Sequence, residues 1–286
     1  MNSYIYGGGF TQAFAQASLV YYLAALFLHV IVPRFCSVSP IHYTHSGGTR
    51  KRKHAIGQVT REALNSIGPL VVKALIWTFV EKLHTSGYSL LYSNRPVHLG
   101  SALCTAIALD YLHDAWFYWT HRLLHTKLLY RRVHYIHHQS TVPTAFTGYS
   151  FHSIEAMIVF ANEIFVCFLF PMHIGVHRVY HMYMTVIHNG GHAGYEIAPY
   201  IPSAEGVLHL ILSHTINMVR NTTSKKSSHA KKKNNPKQSS PLLNTVRHHD
   251  MHHRFPHVHF SLYMTHWDWL MGTEHPEYRH DIVCYN

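Results

Sequence analysis

The chain is 286 residues long, and 30 of them are histidine, several times the usual share. Lys and Arg number 24 against 13 Asp and Glu, a formal charge of +11, but the basic residues flank long apolar runs, which points to an anionic membrane surface and away from nucleic acid. Cys36, Cys104, Cys167 and Cys284 are scattered without a C-x-x-C pair, which argues against a thiolate zinc site and a disulfide framework.

Met1 to Phe10 carries no Lys or Arg and no small-residue cleavage site follows, so the first apolar run is expected to stay as an anchor. That run, Ala13 to Val32, matches the ~20 residues a bilayer core requires, and Pro33 and Arg34 are expected to end it. Phe35 to Arg61 is polar and basic and includes Arg50-Lys-Arg-Lys53. Leu64 to Val80 is apolar but carries Pro69 and Lys73, so it spans the membrane or lies in its interface. Leu99 to Trp119 is apolar with Asp110, His113 and Asp114 near its end. Ile154 to Met172, with Asn162 and Glu163 inside, and Ile174 to Ile187 read as a helical hairpin broken at Pro171. Val207 to Val219 is a shorter amphipathic segment. Asn221 to Ser240 is Lys, Ser and Asn without apolar periodicity, and reads as a disordered basic loop.

The fold expected is therefore an all-α integral membrane protein with about four to five transmembrane or re-entrant helices and a cytosolic helical cap. The excess of Lys and Arg after the first run puts the N-terminus in the lumen and the first loop in the cytosol. Counted onward, every histidine box described next falls on the cytosolic side.

Ten histidines fall into four boxes: His121 with His125, His134 with His137 and His138, His188 with His192, and His249 with His252 and His253. Spacings of three and four residues stack side chains on one helix face, one turn apart. Four such faces pointed inward would make an imidazole cage large enough for two metal ions. A single H-x-x-x-H pair arises by chance in a His-rich chain, whereas two H-x-x-H-H copies are rarer. Outside the boxes, His29, His42, His45, His54, His84 and His98 read as interfacial or surface groups. His173, His177 and His181 share helical spacing and are candidates to line a cavity. His152 and His248 are candidates to bind the metal or support a ligand, with His257, His259 and His266 as further supports. Asp114, Glu155, Asp250 and Asp268 are candidates to accept the outer N–H of a ligand imidazole and fix its tautomer. For Asp114 and Glu155, solvation of a helix end is an equal reading.

The missing thiolates argue against structural zinc and copper(I). Two ions with about five imidazoles each would leave room for a small molecule, and iron binding O2 makes such a site useful beside a membrane. Lipid would enter from the bilayer, past Trp116, Phe117, Tyr118, Trp119, Tyr135, Phe146, Tyr149 and Phe151 as a channel lining or an interfacial belt. Glu81/His84 and Glu277/His280 fit the E-x-x-H spacing of soluble di-iron bundles but lie apart from the boxes and read as chance. A histidine-rich metal transporter or scaffold is the alternative of another class. A transporter would need ligands through the bilayer midplane, whereas these boxes gather at helix ends.

The stretches Asp114-Ala-Trp-Phe-Tyr-Trp-Thr-His-Arg-Leu-Leu-His125, His134-Tyr-Ile-His-His138, Phe151-His-Ser-Ile-Glu155, His192-Ala-Gly-Tyr-Glu196, His249-Asp-Met-His-His253 and Trp267-Asp-Trp-Leu-Met-Gly-Thr273 resemble the fatty acid hydroxylase superfamily. That superfamily includes sterol C-4 methyl oxidases and sterol C-5 desaturases. The resemblance covers about Asp110 to Thr273 and implies a helical endoplasmic-reticulum membrane enzyme with its site facing the cytosol. It implies two iron ions held by the box histidines (zinc as a replacement on purification), O2 as oxidant, and electrons from NAD(P)H through cytochrome b5 or a reductase. It also implies a membrane lipid substrate, most simply a sterol, with a fatty acyl chain, sphingoid base or long-chain aldehyde as alternatives. Residues 1–98 are then an N-terminal membrane anchor region, and residues 99–286 the catalytic domain with 221–240 as an inserted loop. His188 is not shared by every branch of the superfamily.

Overall fold

The structure, a computed structural model, describes residues 6–36, a few positions between 38 and 49, residues 55–196, 245–262 and 264–276, and Tyr278. The basic run at Arg50–Lys53, the amphipathic segment at 207–219, the basic loop at 221–240 and the Glu277/His280 pair lie outside the described residues.

Among the described residues, two helices are long and apolar enough to cross a membrane, α1 (Gly9–Phe35) and α2 (Gln58–Thr85). α1 buries Ala13, Ala17, Tyr21 and Ala25, four residues apart, while Leu19, Leu23, Leu26 and Phe27 point outward. Small residues inside let two backbones approach, and large apolar residues outside suit a lipid environment. The partners of that stripe are Leu70, Ala74 and Trp77 on α2. Pro33 was expected to end the first helix, but the helix runs on to Phe35 through a π turn at Phe27–Ile31. A proline has no N–H for the carbonyl one turn back, and a wider turn just before it accommodates that loss without ending the helix. Pro69 lies in the first turn after a break at Ser66, where its missing N–H has no intrahelical partner to lose.

α3 (Leu99–Leu124) is ~39 Å long at the standard rise. It buries Leu109, Asp110, His113, Asp114, Phe117, Tyr118, His121 and Leu124, one continuous face at three- and four-residue spacing. The short α4 (Tyr135–His138) follows a π turn at Tyr130–His134. The expected span at Ile154–Met172 is instead divided into α5 (Ser153–Phe160), a four-residue turn at Asn162–Phe165 and a 3-10 turn at Val166–Phe168. Eight residues of helix cover ~12 Å, well short of a bilayer core, so this segment is no continuous span. The polar pair Asn162-Glu163 explains the break, because both side chains turn inward to partners. Glu163 accepts from Lys73 Nζ on α2 at 2.6 Å and from Trp77 Nε1 at 2.6 Å. Asn162 meets His113 Nδ1 on α3 at 2.7 Å.

α6 (Ile174–Gly191) starts at His173, whose Nδ1 accepts the Gly175 N–H at 3.0 Å. It packs against α1, where Asn189 donates to the Tyr21 carbonyl at 2.9 Å. α7 (Val246–Arg254) is capped by Thr245, and α8 (His266–Leu270) closes the described part of the chain. The principal apolar core joins Ala13, Ala17 and Tyr21 to Trp77, Phe117, Tyr149 and Ile187, so the N-terminal helices and the histidine-bearing helices share one interior.

Candidate metal centre

Four elements deliver the histidines to one buried place. α3 carries His121 in its last turn and is capped by His125, four residues on. The π turn and α4 carry His134, His137 and His138. α6 runs out at His192, and α7 presents His249, His252 and His253. Nine of the ten box histidines form two groups. In each group one ring nitrogen per residue lies within 4.8 Å of all the others: His121, His125, His134, His138 and His252 in the first, His137, His192, His249 and His253 in the second. The groups touch, with the His138 and His253 rings 5.0 Å apart.

Hydrogen bonds at the outer nitrogens fix which inner nitrogen carries a lone pair. His121 Nδ1 donates to the Phe260 carbonyl at 2.7 Å and His252 Nδ1 to the Val258 carbonyl at 2.6 Å. His192 Nδ1 donates to the His188 carbonyl at 2.8 Å, and His134 Nδ1 to the Glu155 carboxylate at 2.8 Å. A neutral imidazole has one N–H, so Nε2 of each of these four rings is a bare acceptor. Yet His138 Nε2 lies 3.1 Å from His134 Nε2 and 3.2 Å from His252 Nε2. One proton on His138 can satisfy only one of those two lone pairs. In the second group His249 Nε2 lies 2.8 Å from His192 Nε2, and neither ring nitrogen of His253 meets a hydrogen-bond partner. Buried polar atoms are normally paired, and a cation between converging lone pairs resolves the conflict.

The electrostatics agree. Burial holds the His121 and His192 imidazoles down to about 4, so both rings are neutral at neutral pH, the form that can bind a metal. His134, His137, His138, His249, His252 and His253 are held well below the ordinary histidine value, by burial first and by their histidine neighbours after it. No thiolate or carboxylate enters either group, and an all-imidazole donor set suits iron, zinc or copper.

His188 departs from the expected ligand set. It belongs to neither group, and its ring packs on Phe117 and Tyr149 at 5.6 Å each. There it helps line a cavity with Phe117, Leu124, Phe151, Val159 and Glu155, into which His121, His134 and His137 also face. The cause is helical register: His192, the C-cap of α6, turns its Nε2 to His249, while His188 one turn earlier faces the apolar wall.

Among the supporting candidates, Glu155 meets a ligand histidine directly, through His134. His152 does not; its Nδ1 accepts the Ile154 N–H at 3.0 Å and caps α5. Asp114 accepts the Met264 N–H at 3.0 Å, and its other oxygen lies 3.9 Å from His266 Nδ1. Asp250 is buried on α7. His248 turns away from the cage into a separate buried group with His259 and Asp268, its Nε2 3.5 Å from the Asp268 carboxylate. His177 bonds to the Glu163 carbonyl at 2.8 Å and stacks on His181, so this row joins α6 to the α5 side instead of the cavity. Sequence reasoning had no access to the Val258, Phe260 and His188 carbonyls, because backbone acceptors carry no residue-type signal.

The family model described as fatty acid hydroxylase matches residues 106–273, which enclose all ten box histidines. Mouse lathosterol oxidase is 24% identical over 259 residues, covering 85% of this chain and 70% of that protein. A Delta(7)-sterol 5(6)-desaturase of Schizosaccharomyces pombe is 30% identical over 141 residues, 46% of each chain. The C-4 methylsterol oxidase of the same yeast is 33% identical over 92 residues, 32% of this chain and 30% of its own length. No solved structure matches. With the matched region spanning more than half of its residues and every box histidine, the chain belongs to the fatty acid hydroxylase family.

Proposed function

We propose that this protein is a membrane-bound, non-haem di-iron oxidoreductase that uses O2 to oxidise a sterol in lipid biosynthesis, by hydroxylation, methyl oxidation or desaturation. The observation that carries the reading is the set of inward lone pairs: nine histidines in two touching groups, eight of them buried and His125 partly so, four of them with the outer nitrogen already donating. The similarity to a lathosterol oxidase, a sterol desaturase and a methylsterol oxidase supports a sterol over other lipids.

His121, His125, His134, His138 and His252 would hold one ion, and His137, His192, His249 and His253 the other. Bound there, reduced iron would supply the electrons and the O2 chemistry needed to attack an unactivated C–H bond. The chain's own contribution is orientation and exclusion of water. Glu155 and the three carbonyls hold four rings in one tautomer, and Phe117, Leu124, Phe151 and Val159 give the small cavity beside them an apolar wall. His188, in that wall, faces the substrate space.

Residues 1–98 serve as the membrane anchor region and residues 99–286 as the catalytic domain, with α1, α2 and the 99–119 stretch of α3 crossing the endoplasmic-reticulum membrane and the shorter helices re-entrant or interfacial. The metal centre faces the cytosol, where NAD(P)H-derived electrons arrive through cytochrome b5 or a reductase. Elemental analysis of the detergent-purified protein tests the base of this reading. About two metal atoms per chain are expected, reduced in His137→Ala. Sterols and acyl lipids offered with O2 and a reductant then test the substrate, and oxidation of acyl lipids alone would replace the sterol assignment. A wild-type protein without stoichiometric metal under gentle conditions would overturn the enzyme reading.

A further inference from the structure

We propose that Asp268 is a positioning residue for one of the two metal ions and not the other, acting through the segment 258–261. This inference rests on the dimetal reading above. Asp268 is fully buried at the start of α8, far along the chain from the boxes. Its Oδ1 accepts the Phe260 N–H at 2.9 Å and the Thr273 hydroxyl at 2.6 Å, and its Oδ2 accepts the Ser261 N–H at 2.8 Å. One carboxylate therefore clamps two successive peptide groups. Charge-assisted bonds of this kind are the strong ones, and three donors on one carboxylate leave the segment little freedom.

The clamped segment addresses the first histidine group from two carbonyls. Phe260 accepts from His121 Nδ1 and Val258 accepts from His252 Nδ1. The Phe260 ring packs on His121, His125 and His252, all of the same group. Between the two carbonyls His259 stands at φ 59°, the one non-glycine residue with positive φ among the described residues. Its N–H donates to the Thr273 carbonyl at 2.9 Å, and its Nε2 accepts the His275 N–H at 3.0 Å. L-residues rarely hold that conformation unless their surroundings impose it. The left-handed turn is thus locked from three sides: by Asp268, by Thr273 and by His275. The second group is braced elsewhere: the backbone acceptor of its His192 is the His188 carbonyl on α6.

A loosened clamp releases the N–H donors at positions 260 and 261, and with them the carbonyls that hold His121 and His252 in the ligating tautomer. Loss of such an outer hydrogen bond costs typically about 10- to 100-fold in metal affinity. The cost should fall on one ion.

The test uses Asp268→Asn, which puts an amide NH2 where one of the accepting oxygens was. Wild type, Asp268→Asn, His121→Ala and His192→Ala are purified in detergent and loaded anaerobically with ferrous iron. Metal content is measured, then release to a chelator is followed in time. Wild type is expected to hold two ions. Asp268→Asn should keep one at the wild-type release rate and lose the other about 10- to 100-fold faster, with the slow phase it shares with His121→Ala and not with His192→Ala. Release of both ions accelerated together, or neither accelerated, overturns the inference. If Asp268→Asn does not fold, Thr273→Val, which removes one donor to Oδ1, should show the same one-sided effect in smaller measure, and a two-sided or null effect there overturns it equally. A wild type that holds no metal would instead strike the dimetal reading itself.

Discussion

Two buried polar regions of this chain look alike in composition and differ in bookkeeping of partners. Between α2, α5 and α6, each charged group meets its complement: Lys73 bonds Glu163 at 2.6 Å, and Arg178 bonds Glu81 at 2.7 Å and Gln16 at 2.8 Å. Aromatic faces complete the coverage, with Lys73 Nζ 4.4 Å from the Phe160 centroid and the Arg178 guanidinium 4.3 Å from that of Trp77. In the histidine cage, acceptors face acceptors. Charged groups paired within the protein serve a structural role; lone pairs that converge on one another call for a cation. Buried histidine alone does not separate the two, since His177 belongs to the first region and His137 to the second.

The largest expected break in that comparison is on the cage side. His137→Ala or His252→Ala should abolish turnover and lower metal content while the helical circular dichroism stays; unchanged product formation would remove the site. On the other side, Glu163→Gln leaves a buried ammonium without its counter-ion. It should destabilise the protein by about 3–5 kcal/mol, read as a lowered unfolding midpoint in detergent, with two ions still bound by the molecules that remain folded. The double variant Lys73→Met with Glu163→Leu should recover most of that loss, because an apolar pair of similar volume often replaces a buried ion pair at little cost. A double variant as unstable as the single one would mean the pair does more than neutralise charge.

Acid should also weaken the cage. Burial lowers the folded values of His121 and His192 to about 4 from 6.5. The unfolded chain therefore takes up protons first as pH falls, and the stability from these neutral rings, complete above pH 6.5, drains away down to about 4. Metal-free protein followed by thermal melts from pH 7.5 to 4.5 should show that decline; a flat profile would mean the rings are not buried neutral.

Smaller effects sharpen the assignments of single residues. Glu155→Gln keeps a carbonyl acceptor for His134 in place of the carboxyl group, so metal affinity should fall within the 10- to 100-fold range or below it, measured by competition with a chelator. His152→Ala removes an N-cap acceptor and should cost ~1 kcal/mol with metal content unchanged. A loss of metal there would return His152 to the cage.

The periodicity of the boxes was readable in the chain because i, i+3 and i, i+4 spacing is a property of any helix. His121 with His125 and His249 with His252 and His253 follow it directly, and the apolar stripe of α1 does too. The membrane span read at 154–172 failed where Asn162 and Glu163 found partners on α2 and α3, because apolar count over a window cannot see a long-range partner. His188 and His152 failed for a related reason: residue type and spacing place a ring on a face, but what that face meets is a matter of packing.

Sequence alone determined the helical class, the first long apolar helix, the family and the four boxes, since each rests on local composition or on spacing along one helix. Only the tertiary structure decided how nine histidines divide into groups of five and four, which carbonyls fix their tautomers, that His188 lines the cavity, and that Asp268 reaches the cage through a turn at His259. Several of those contacts join elements more than 50 residues apart, as between His138 and His252, and short-range propensity carries no information about them.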